Sequence, residues 1–229
     1  MKTLLNTTLS AVAAMVISFN AAASGAGVHL DHANTDITDE ASLQRGAQSF
    51  MNYCSGCHSI ELMRYNRIAK DLNIDEADMA KNLMFNAEKT GSTIFSSMPD
   101  KGAKEWFGTT PPDLSLTARA RGTDWIYTYL KGFYADDTRP YGVNNHVLEN
   151  ASMPDVLWQS KQDKSEQDFN QEVRDITNFL DYVSEPVKLI RYEIGVKVLG
   201  FLFILFILSY LLKKEYWKDV KYGKWRAKD

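Results

Sequence analysis

The segment Cys54-Ser55-Gly56-Cys57-His58 holds both cysteines of the chain, three residues apart, with an imidazole directly after the second. Thiols at that spacing suit the addition of each sulfur to a vinyl group of a porphyrin, and the histidine then stands under the ring as an iron ligand. A structural zinc site would need two further ligands. There is no second cysteine pair, and His29, His32 and His146 do not fall at a usual zinc spacing. A thioredoxin-type redox pair would need a strand–helix–strand setting, whereas the flanks here read as helix. The expected cofactor is one covalently bound haem c.

A haem iron has a second axial position, either filled or open. Met98 in SSMPD and Met153 in ASMPD stand in near-identical surroundings, and His146 is a third donor. A thioether raises the potential, a second histidine lowers it, and an open position would mean ligand binding or catalysis. Met153 is favoured because it lies shortly before the last helical segment of the body, where the distal ligand of a small c-type cytochrome is expected. Met98, His146 and an open position remain alternatives. The haem propionates need cations, and Arg119 and Arg121 offer guanidinium groups suited to bidentate carboxylate binding. Pro111-Pro112 cannot lie inside a helix and gives a rigid apolar wall for a haem edge.

Several elements must hold these residues. Leu43, Ala47, Phe50 and Cys54 recur at helical spacing, and Gly46, one turn before Phe50, leaves room for a second helix to cross closely. Phe169, Val173, Ile176, Leu180 and Val183 form a matching stripe, with Pro186 near its end. Trp125, Ile126, Tyr129 and Leu130 describe a short helix, and Gly132 follows as its C-terminal stop. From residue 134 to 164 periodicity is weak, which reads as a long functional loop carrying Met153. The fold class expected is mainly α: a cytochrome c-like haem domain with one C-terminal transmembrane helix.

The ends set the topology. Residues 1–23 have a basic start, an apolar middle and small residues before a cut between Ala23 and Ser24, which is a signal peptide. Residues 24–186 form the haem domain, and 187–212 the anchor. Within the anchor, the nineteen residues 194–212 would span roughly 28 Å of bilayer as a helix. Residues 213–229 carry seven basic and three acidic side chains, so the tail is expected in the cytoplasm and the haem domain on the periplasmic side of the inner membrane. The net charge of −3 hides this asymmetry. Residues 24–212 hold 18 Lys and Arg against 26 Asp and Glu, an acidic body that favours a basic partner. No hydrolytic triad, P-loop or dinucleotide fingerprint is present, so no bond-making site of its own is expected and nucleic acid is not an expected partner.

The ordered set QRGAQSFMNYCSGCHSIELMRYNRI, PPDLS, RARGTDWIYTYLKGFY, RPYGVNN, MPDVLW and FLDYVSEP, leading into a single span, resembles the cytochrome c1 family, the haem subunits of ubiquinol–cytochrome c reductase. The resemblance runs from about Ser42 to the C-terminus. It implies haem on Cys54 and Cys57 and axial ligation by His58 and Met153. It further implies a propionate contact from Arg121 and a pocket lined by Pro111, Pro112 and Trp125. The partners it implies are a cytochrome b subunit, a Rieske iron–sulfur protein as donor and a soluble cytochrome c as acceptor, besides the lipid bilayer. The rival readings are a tethered cytochrome c serving a terminal oxidase or nitrogen-oxide reductase, and a haem-based sensor.

Overall fold

The computed structural model describes residues 28–223. The expected signal segment 1–23 and the last part of the basic tail, 224–229, lie outside the described residues. In chain order the elements are α1 (Glu40–Tyr53), β1 (Ile60–Arg64), α2 (Tyr65–Asp71), α3 (Glu76–Asn82), β2 (Thr93–Ile94), α4 (Asp100–Phe107), α5 (Thr117–Arg121) and α6 (Thr123–Lys131). They continue with β3 (Phe133–Ala135), β4 (Val143–Asn145), α7 (Trp158–Asp163), α8 (Glu166–Ser184) and α9 (Lys188–Lys221).

The body is organised on the crossing of α1 and α8. Asp39 starts α1 by accepting the amide N–H of Ser42 at 3.0 Å, which satisfies a donor the helix cannot use internally. Ser165 starts α8 in the same way, accepting from the amide of Asp168 at 3.2 Å. Leu43, Ala47 and Phe50 are buried against the inner stripe of α8, where Phe169, Val173, Ile176, Leu180 and Val183 are buried in turn, as their spacing predicts.

At the crossing itself, a Cβ on Gly46 would fall 2.0 Å from the carbonyl oxygen of Asp175. The two helices therefore meet backbone to backbone, and the Phe50 and Phe179 rings close the contact at 5.6 Å. The Asp175 side chain sits in this seam, 4% exposed. Its carboxylate accepts from the Ser42 hydroxyl at 2.7 Å, from Arg45 at 2.7 and 3.0 Å, and from Gln171 at 2.9 Å. A buried carboxylate stripped of such partners is strongly destabilising, so the network fixes the register of α1 on α8.

Helices α5 and α6 pack on α8 from another side. Gly132 ends α6 as predicted: a Cβ there would press to 2.9 Å on the Thr128 carbonyl. The region read as one long loop is more ordered than its weak periodicity suggests. It contains the antiparallel hairpin β3–β4, with Phe133 paired to Asn145 and Ala135 to Val143, and then α7. Three-residue strands are too short to show a two-residue alternation.

The anchor helix α9 is 34 residues long, about 51 Å at helical rise. Its stretch Ile190–Lys218 is long and apolar enough to cross a membrane, and its apolar side chains are exposed rather than covered by the body. The helix continues through the first part of the basic segment to Lys221. A short joint links it to α8, braced by Lys188–Asp181 at 3.2 Å and Arg191–Glu185 at 2.5 Å.

Candidate haem centre

The Cys-x-x-Cys-His segment leaves α1 as a continued turn. The Cys54 amide still donates to Phe50 at 2.9 Å, and the amides of Cys57 and His58 return to the Cys54 carbonyl at 3.0 and 2.8 Å. This turn brings Cys54, Cys57 and His58 onto the wall of one cavity of about 520 Å³, a volume in the range of cofactor pockets. The same cavity is lined by Pro111, Pro112, Arg121, Trp125 and Met153. The eight residues that the family resemblance implies therefore share one enclosure, although they lie as much as 99 positions apart. Met98, Arg119 and His146 are not on this wall. His146 instead stacks on Tyr134 with ring centres 4.3 Å apart.

His58 is 9% exposed, and its Nδ1 lies 2.8 Å from the Pro112 carbonyl oxygen. A carbonyl can only accept, so Nδ1 carries the proton and Nε2 keeps the lone pair. Burial also holds the imidazole pKa below its ordinary value, which keeps the ring neutral and able to ligate. Pro112 is held in turn by the residues after it. The Leu114 amide donates to the Ser59 carbonyl at 2.9 Å, and Asp113 accepts from the amides of Glu61 and Ser115, both at 2.8 Å. The prolines thus form a wall and also fix the carbonyl that orients His58.

Burial pushes the Cys54 thiol up to about 12 and raises that of Cys57 as well, so both sulfurs are neutral thiols in an apolar wall. Arg121 stands with its guanidinium 5.1 Å from the Trp125 ring centre. Trp125 stacks on Tyr129 at 5.0 Å and 7°. The Tyr129 hydroxyl donates to the Met153 sulfur at 3.5 Å, and burial pushes its phenol up to about 12. Ile126, Leu130, Ile176 and Leu180 complete the apolar lining.

Sequence reasoning missed two contributors. Tyr129 lies four residues after Trp125, so helical spacing alone puts it on the same face. Asp113 acts through two backbone amides, that of nearby Ser115 and that of Glu61 on β1, which only the fold brings near.

The donor set fits a covalently held haem: two neutral thiols at vinyl-addition spacing, an imidazole with its Nε2 free, a thioether, a guanidinium and apolar walls. Fold and site together define a membrane-anchored, single-haem c-type cytochrome. The Cytochrome C1 family model matches residues 32–220, and the chain belongs to that family.

A cytochrome c1 of Allochromatium vinosum is 52% identical over 86% of this chain and 92% of its own length. A protein of Nitrosomonas europaea named ammonia monooxygenase gamma subunit is 40% identical over 91% of this chain and 96% of its own. The mitochondrial cytochrome c1 haem protein of Neurospora crassa is 28% identical over 81% of this chain and 64% of its own. Members of the family are the haem subunit of the cytochrome bc1 complex, alongside cytochrome b and a Rieske protein, and carry one covalent haem c. The chain is accordingly an electron-transport subunit of the respiratory chain. The readings as an oxidase-linked cytochrome or a haem sensor are not favoured.

Proposed function

We propose that this chain receives electrons from a Rieske iron–sulfur protein and hands them to a soluble cytochrome c, within a complex whose cytochrome b subunit handles the quinol. Bound to Cys54 and Cys57, the haem supplies a one-electron iron couple. His58, fixed by Pro112, would hold the iron through Nε2, and Met153 would hold it through its sulfur. Arg121 neutralises a propionate. Pro111, Pro112 and Trp125 keep water from the ring, which lowers the reorganisation that accompanies each electron transfer. The domain plan is a signal peptide at 1–23, a haem domain at 24–186, an anchor at 187–212 and a tail at 213–229. The haem domain faces the periplasm and the tail the cytoplasm. The observation that carries the reading is that both thiols, the imidazole and the thioether line one cavity.

The test is purification of the tagged full-length chain from membranes. A reduced-minus-oxidised spectrum of c type, a haem stain that survives denaturation, and co-purifying cytochrome b and Rieske subunits are expected. Copper-containing companions, or a colourless polypeptide, would overturn the proposal.

A further inference from the structure

A buried phenol meets a thioether in the cavity wall. Tyr129 is 9% exposed, and the Met153 sulfur, at 3.5 Å, is the one partner its hydroxyl has among the described residues. A hydroxyl in apolar surroundings needs a partner, and a thioether is a weak one.

The two groups are mounted very differently. The Tyr129 ring is stacked on Trp125 and meets Phe133 edge-on at 5.3 Å and 69°. Its backbone carbonyl is also held by the Asn145 side-chain amide at 2.8 Å. Met153 lies between β4 and α7, in chain without helix or strand, and a methionine side chain has three rotatable bonds. The rigid partner therefore dictates where the adaptable one points.

We infer that Tyr129 is a positioning residue for Met153. Its hydroxyl occupies one lone pair of the sulfur and sets the rotation that presents the other to the haem iron. The same hydrogen bond draws electron density from the sulfur and makes it a weaker donor to oxidised iron, so the contact favours the reduced state. This rests on Met153 being the axial ligand, as proposed above. Packing alone would need only the ring, which a phenylalanine also provides.

The experiment compares the full-length haem protein with Tyr129→Phe, Tyr129→Leu and Met153→Leu. Each is equilibrated with a soluble c-type cytochrome of known potential, and the sulfur-to-iron charge-transfer band of the oxidised form is recorded. In Tyr129→Phe, haem loading stays as in the parent. The redox equilibrium moves about threefold toward oxidised protein, the size of one weak hydrogen bond, and the band shifts. Tyr129→Leu shows the same shift with lower thermal stability. A Tyr129→Phe protein identical to the parent in both equilibrium and band would make Tyr129 a packing residue and end the inference. Met153→Leu separates the two claims. Loss of the band there sustains Met153 as ligand whatever Tyr129→Phe does, and persistence of the band removes both.

Discussion

On one wall of the haem cavity, His58 is held by a turn that closes onto the Cys54 carbonyl at 2.8 Å and by a ring hydrogen bond to Pro112. That carbonyl is itself braced by Asp113 and by Leu114. On another wall, Met153 sits in irregular chain, and among the described residues its sulfur accepts one hydrogen bond, from the Tyr129 phenol. The first wall is tied into the α1–α8 crossing through the last turn of α1. The second meets α6 through the hydrogen bond from Tyr129. The difference teaches where the fold allows adjustment: Cys54, Cys57 and His58 continue directly from a helix, whereas Met153 stands in chain without helix or strand.

The largest effect is expected from breaking the rigid side. Gly46→Val would drive a branched side chain into the Asp175 carbonyl, already 2.0 Å from a bare Cβ. The cost is about 3 kcal/mol or more, the upper end for overpacking. Little haem-stained polypeptide should accumulate, and what does should unfold at clearly lower denaturant. Next, Met153→Leu should keep the covalent haem and the fold while the potential falls on the order of 0.1 V, within the ~0.8 V that axial ligands govern. Potentiometric titration measures it.

A smaller change sharpens the contrast. Asp113→Ala removes two amide partners on the His58 side and should cost about 1 kcal/mol in denaturant unfolding without moving the potential as far as Met153→Leu does.

The smallest effect lies away from both walls. Asp31 accepts from Lys131 at 2.9 Å, and that hydrogen bond holds its pKa below the ordinary carboxylate value. Stability from this pair is fully present above about pH 4 and is lost as pH falls through the lowered pKa of the folded state. Because the Asp31 side chain is 45% exposed, solvent screening limits the contribution to about 0.3 kcal/mol. Asp31→Asn should show that deficit at pH 7 and converge with the parent in strong acid.

The rigid wall was the more legible of the two in the sequence. Cys54, Cys57 and His58 are contiguous, and the stripes of α1 and α8 repeat over many turns, so their pairing and the Gly46 contact followed from periodicity. The bracing of Pro112 did not, because Asp113 reaches Glu61 across 52 positions through a backbone amide, and amides carry no residue signature. Arg119 and Arg121 could not be separated by type. Two residues apart on a helix they face different ways, and the fold turns Arg121 to the cavity. The hairpin β3–β4 was hidden by its brevity. Tyr129 is legible as part of a short helix, which it is, but nothing local says that its hydroxyl ends on a sulfur.

The joint between α8 and α9 has a mechanical consequence. Three residues separate the end of one helix at Ser184 from the start of the next at Lys188, and two ion pairs clamp the corner. Such a joint ties the first turn of the anchor helix to the last turns of the helix before it.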